Sequence, residues 1–360
     1  MSFFKTLLVL ALSFGMSANA ASNKEIINNI SHNVILATYN DLAKTSAALK
    51  VAVEKLNANP TQENLEAAQK AWQETRVPWE SSEAFLFGPV DALGIDPMLD
   101  TWPLNILDLD NVLRSSRPIT VDFIRALGTN LQGFHTIEYL LFGDGVTQNT
   151  KPVASLTAKQ KEYLLSTSAV LAEHTAELAH AWSHNYDPEN PKAPGYVQII
   201  SNPSFSNPFY TSERAVMEEF VQGMMGILDE VANGKMADPM GADIRSADMS
   251  LVESPFSWNS LSDFQNNIRS VQSIYTGKYK NHVGPGIKDL VVRVNPSLAT
   301  RVEAEIAKSI QLIGDIRPAV GDFGAAIKDP AGRAKTQKAI DALNALHALM
   351  EDEVLPTLDM

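Results

Sequence analysis

The 360-residue chain contains no cysteine. That excludes disulfides, thiolate metal ligands and a cysteine nucleophile. It also excludes lipid anchoring through an N-terminal cysteine. No apolar run is long enough to span a bilayer; Leu7 to Phe14, near the N-terminus, is too short. Basic residues are scarce as well, with 29 Lys and Arg against 42 Asp and Glu and a net charge of −13. Such a surface argues against nucleic acid and against anionic lipid, and it is compatible with cations. No convincing run alternates apolar and polar residues as a strand would. Catalytic signatures are missing too. There is no His-Glu-x-x-His, the inverted His-x-x-Glu-His fails by one residue at Tyr139, and no Gly-x-Ser-x-Gly occurs.

The N-terminus reads as an address. Met1 to Lys5 is short and weakly basic, an apolar run follows, and Ala18-Asn19-Ala20 has the small-x-small form of a cleavage site. Residues 1–20 are therefore expected to be a removed signal peptide. The mature chain would start near Ala21 and reside in the periplasm, not as a lipoprotein, with peripheral membrane association left open.

The rest is patterned for helices, and the expected fold class is all-α. Ser22 with Glu25 and Thr157 with Gln160 are capping boxes. Asn59-Pro60, Asn295-Pro296 and Asp329-Pro330 are helix starts of the cap-plus-proline kind. Length and helix count predict two helical-bundle domains, residues 21–190 and 205–360, separated by a Pro-, Asn- and Ser-rich excursion. A short echo of Ser82-Glu83-Ala84-Phe85 in Glu253-Ser254-Pro255-Phe256-Ser257 suggests that duplication relates them. Pro78 to Pro103 interrupts the helical pattern with prolines, glycines and the aromatics Trp79, Phe85, Phe87 and Trp102. A connection of that kind is more often functional than a spacer. It carries Glu80, Glu83, Asp91, Asp96 and Asp100.

Gly133-Phe134-His135-Thr136-Ile137-Glu138 holds the chemistry. His135 and Glu138 lie one helical turn apart on one face, within enough apolar sequence to bury them. A buried charge needs a partner or a metal, so the pair is either a structural hydrogen bond or part of a site. A second candidate, Glu173, Glu177, His180 and His184, forms a stripe facing away from its helix's packing residues. It reads as solvated.

Laid out in order, these residues resemble the imelysin family, also described as imelysin-like or insulin-cleaving-metalloprotease-like. The carrying motifs are Trp72-x-x-x-Arg76, Ser82-Glu83-Ala84-Phe85, Phe87-Gly88-Pro89, Asp100-x-Trp102-Pro103 and the Gly-x-His-x-x-Glu of Gly133, His135 and Glu138. In the second half they are Glu253-Ser254-Pro255-Phe256-Ser257 and Asp263-x-x-x-Asn267-Ile268. The resemblance implies two bundles with the motif near their interface, export to the bacterial envelope, and regulation by or transport of iron. It also implies a metal held by His135 and Glu138, with Glu83 as a matching acid and Gly133, Arg76 and Trp79 in support. The ion implied is iron, with zinc the alternative. The partners implied are that ion or an iron-containing ligand, and an envelope transport protein. A metallopeptidase on the same residues is the competing enzymatic reading. The missing zinc-site spacing argues against it, and no catalytic residue is assigned.

Overall fold

Ser22 opens the fold as its capping box predicts. Its hydroxyl accepts the Glu25 N–H, while the Glu25 carboxylate accepts the Ser22 N–H at 2.7 Å. The computed structural model describes residues 21–359, and the expected leader, residues 1–20, lies outside them. From Asn23–Asn29 the chain runs through a π-helical segment, Ile30–Leu36, into Ala37–Ala58. Thr61 caps the next helix, Gln62–Glu80. With Thr157 capping Ala158–Ser183, the long helices of the first half pack on Ala37–Ala58 from two sides.

Pro78 does not end its helix. It sits in the last turn, where the Ser81 N–H still reaches the Val77 carbonyl at 3.0 Å. The missing proline N–H is therefore tolerated, and Arg76 and Glu80 remain one turn apart on one face. The segment that follows is more ordered than an open loop. It contains the short helical pieces Glu83–Phe85, Pro89–Ala92 and Ile95–Asp100. Its aromatics are its packing: Trp79 and Phe85 are fully buried, and the Trp102 ring lies 4.7 Å from that of His135. The 185–211 stretch is likewise folded back. Its helix Tyr196–Ile200 packs on Ala158–Ser183, with Tyr196 edge-on to Trp182.

The second half is built from Glu213–Asp229, Ser260–Thr276, Pro296–Asp315 and Pro330–Leu349. Asn295 and Asp329 cap the last two, each with proline in the first turn. Ser260–Thr276 packs on Pro296–Asp315 on one side and on Gln62–Glu80 on the other. Buried side chains from both halves form one continuous core. The fold is all-α. Its only strand pairing among the described residues is a hairpin of two residues each, Lys278–Tyr279 with His282–Val283, too short to leave a sequence pattern. No described helix is long and apolar enough to cross a membrane.

The motif helix, Gly133–Leu141, is seated on the Ile95–Asp100 piece through its first residue. Gly133 has φ +80°, and a β-carbon there would stand 2.3 Å from the Leu99 carbonyl oxygen. Only glycine meets both conditions. Gly133→Ala is expected to cost about 1–3 kcal/mol, read as a lower urea midpoint at unchanged slope. An unshifted midpoint would mean that this close approach is not needed.

Candidate metal centre

Arg76 is the centre of the site. It is fully buried, and its guanidinium meets Glu80, Asp100, Glu253 (3.0 Å) and Asp263 (3.2 Å). The planar fork suits several carboxylates at once. Its carbon face lies 5.0 Å from the Phe134 ring centre. Trp79 adds an indole N–H to Asp100 at 2.6 Å. Asn267 donates to Glu80 at 2.5 Å, and the Ser254 hydroxyl donates to Asp263 at 2.6 Å. Elements far apart in sequence thus converge on one buried cation.

His135 stands beside this cluster, 1% exposed. Its two ring nitrogens face different acids. Nδ1 lies 3.1 Å from Glu138 Oε2. The other Glu138 oxygen accepts both the backbone N–H and the hydroxyl of Ser257, at 2.8 and 2.7 Å. Glu138 therefore fixes the imidazole and ties the motif helix to the 253–257 segment. Nε2 points the other way, 3.0 Å from Asp100 Oδ1, yet it has no aligned hydrogen-bond partner. Glu80 Oε1 touches the Arg76 guanidinium and Glu253 Oε2 lies 3.3 Å from the Lys235 ammonium, neither with an aligned hydrogen bond.

Lys235 completes the charged set. It lies in the π-helical segment Glu230–Ala237, a geometry that often marks functional positions. Its ammonium is 3.3 Å from Glu253, 3.7 Å from Glu230 and 3.9 Å from Glu80 and Glu83. Beside it opens a cavity of about 330 Å³, walled by Glu83, Asp96, Asp100, Glu230 and Glu253 among others.

The electrostatics follow from burial and charge. Glu80, Glu83, Asp100, Glu138, Glu253 and Asp263 are near-buried acids, facing Arg76, Lys235 and His135. Burial pushes Glu80 and Glu83 well above the usual carboxylate range despite the cations near them. It also pushes Asp96 and Asp263 up to about 6. Asp100 goes the other way: burial opposes its charge, but Arg76 and His135 hold it well below that range. For His135, burial disfavours the imidazolium. The charge and close approach of Asp100, with the hydrogen bond to Glu138, outweigh that and push it up to about 9. Protons on Glu80, Glu83 and His135 therefore occupy sites that a metal cation would compete for.

The donors fit a hard or borderline ion. One ligand atom each from Asp100, His135 and Glu253 lie within 4.8 Å of one another, as do those from Glu80, Glu83 and Asp100. Asp100 is common to both groups. Of the residues singled out from sequence, His135 is in the first group and Glu83 in the second. Glu138 lies on the opposite ring nitrogen, in neither group, and Gly133, Arg76 and Trp79 pack around them. Asp100, Glu253 and Asp263 stood in the quoted motifs without a role, and nothing in the sequence singled out Lys235. On the other stripe, Glu173 pairs with Arg125 at 2.6 Å and His180 stacks on His184.

The family profile named imelysin matches residues 35–350. The chain belongs to the imelysin family. The iron-regulated protein A of Synechococcus elongatus is 27% identical over 338 residues, covering 94% of this chain and 87% of that one. A crystal structure from Parabacteroides distasonis, described as an iron-regulated protein A precursor, is 28% identical. It superposes with a TM-score of 0.78, covering 93% of this chain and 96% of its own. An imelysin-like protein from Psychrobacter arcticus shares the fold, with a TM-score of 0.71, 15% identity, and coverage of 94% and 96%. In this imelysin the Gly-x-His-x-x-Glu motif is one wall of a cluster whose other wall, residues 253–263, comes from the second half.

Proposed function

We propose that this imelysin binds a metal ion, iron in the first place, through Asp100, His135 and Glu253, and serves iron acquisition in the cell envelope. The observation that carries the reading is His135 Nε2, buried and without an aligned donor or acceptor, amid acids that exceed their cations. Oxygen and imidazole ligands suit iron, and zinc is the alternative ion. The iron-regulated names of two relatives favour iron. Glu138 is then the residue that orients the imidazole, and Glu83 a carboxylate on the path through the acidic cavity. The leader of residues 1–20 would place the protein in the periplasm, where an envelope transport protein is the expected partner.

A peptidase would need a general base with an oxygen free for water. Glu138, the acid the motif offers, has one oxygen on His135 and the other on Ser257. A purely structural role for the cluster is favoured by that same clamp, and one experiment separates the two. Metal-stripped protein is titrated calorimetrically with ferrous, ferric and zinc ions, alongside a peptide-cleavage assay. Glu138→Ala is expected to weaken binding about 10–100-fold through loss of imidazole orientation. His135→Ala should weaken it at least as much, and Glu173→Ala should leave it unchanged. Equal affinity in wild type and His135→Ala would leave only the structural role. Metal-dependent turnover abolished by Glu138→Gln would establish the enzyme instead.

A further inference from the structure

The segment 252–260 has two faces. Glu253, Ser254 and Ser257 look toward the charge cluster, contacting Arg76, Asp263 and Glu138. Val252, Pro255 and Trp258 instead line a second cavity, of about 300 Å³, on the other side. Asp322 and Lys328 also line that cavity. We propose that this second cavity is a binding site for a small zwitterion of the apolar amino-acid class. It is separate from the metal centre, and the proposal does not depend on that centre holding an ion.

The walls define the ligand. Pockets for small molecules are mostly apolar, with a few placed polar groups that set orientation. Here the apolar wall is Val252, Pro255, Met249 and the Trp258 indole, which is held in place by its N–H on the Gly145 carbonyl at 3.2 Å. Trp258 and Ser254 both adopt positive φ, 57° and 48°. That is a backbone cost concentrated at functional positions more than elsewhere.

Asp322 is 3% exposed. One of its oxygens accepts the Leu261 N–H at 3.2 Å, and the other, Oδ1, has no hydrogen-bond partner. Its one ion pair among the described residues is with the half-exposed Arg317, 3.7 Å from that same oxygen and beyond hydrogen-bond reach. A buried carboxylate oxygen left so is costly until a donor reaches it. Burial accordingly pushes Asp322 up to about 7.

Lys328 lies exposed at the rim. A bare carboxylate would satisfy Lys328 and leave Asp322 without a donor. A bare amine would satisfy Asp322 and leave the Lys328 ammonium without a counter-charge. A molecule with an ammonium group, a carboxylate and an apolar side group answers the acceptor, the rim cation and the apolar wall together.

The test uses L-phenylalanine as probe on the full-length mature protein, read by calorimetry and tryptophan fluorescence. Phenethylamine, which lacks the carboxylate, and 3-phenylpropionate, which lacks the ammonium, are the comparison ligands. Phenylalanine is expected to bind, and each comparison ligand to bind at least about tenfold more weakly, the scale of one charge-assisted hydrogen bond. Asp322→Asn keeps an acceptor for Leu261 and should lose about tenfold. Ala325→Trp, at an exposed position on the cavity edge, should abolish binding even if Asp322→Asn fails to fold. No binding of phenylalanine at millimolar concentration would overturn the proposal. So would equal affinity in Ala325→Trp, or phenethylamine binding as tightly as phenylalanine.

Discussion

Arg76→Met is expected to lower folding stability by about 3–5 kcal/mol at pH 8, the cost of leaving buried charges without their partner. Methionine can fill much of the space between Phe134 and Trp72, so packing is not the main loss. The loss is the single guanidinium facing Glu80, Asp100, Glu253 and Asp263. Of these, Asp100 is held ionised chiefly by Arg76 and then by His135, against its burial. With Arg76 gone, those acids must bind protons or draw in water. The penalty should therefore shrink at pH 5, where protons are available. Arg76→Lys, which keeps the charge and loses the fork, should recover part of the loss. Urea denaturation of the three proteins at both pH values is the measurement. A methionine variant within about 1 kcal/mol of wild type at pH 8 would show that the acids neutralise themselves at little cost.

The second large effect is on pH. His135 is pushed up to about 9 in the folded protein, against an ordinary value of 6.5. A group whose folded value is raised stabilises fully below its unfolded value, and that stability is lost as pH rises through the folded one. Metal-stripped protein should thus lose about 3 kcal/mol between pH 6 and 9 from His135 alone. The group is buried, so solvent screening takes little from that figure. Asp96 and Asp263, both raised to about 6, add a loss in the same direction at lower pH, from about 4 to 6. Asp100, held low, works oppositely and removes stability only as pH falls below about 4. Lys151, which burial depresses to about 8, offsets part of the fall above pH 8. Urea midpoints across pH at constant salt would show the slope, and His135→Gln should flatten it. Stability that rises from pH 6.5 to 8 in the metal-stripped protein would contradict the assignment. Metal affinity should move the other way, strengthening with pH as the imidazole gives up its proton.

Helix starts were legible because capping is local: Ser22 with Glu25, Thr157 with Gln160, and the Asn295 and Asp329 caps need only neighbours three residues away. The Gly-x-His-x-x-Glu motif was legible for the same reason. What its spacing could not say is whether His135 and Glu138 converge on a third body or on each other. In the fold, Glu138 takes Nδ1 and leaves Nε2 for Asp100. Asp100 was one of several acids in a connection, and nothing local distinguishes it from Asp91. Glu253 and Asp263 reach Arg76 across 177 and 187 residues, a relation that only the tertiary fold creates. Lys235 was least legible, since its direction depends on a π-helical segment that composition does not announce. Pro78 ends nothing, because a proline in the last turn is tolerated when the Ser81 N–H still finds the Val77 carbonyl.

The distribution of Arg76's partners along the chain bears on the order in which the molecule can be assembled. A nascent chain grows from its N-terminus, and Arg76 with Glu80 and Asp100 appears long before Glu253 and Asp263. Ser257, which holds the far oxygen of Glu138, also comes late. The first half therefore cannot close its own charged interior until residue 263 has been made. A fragment ending near residue 190 would carry Arg76 without Glu253 and Asp263, and Glu138 without Ser257.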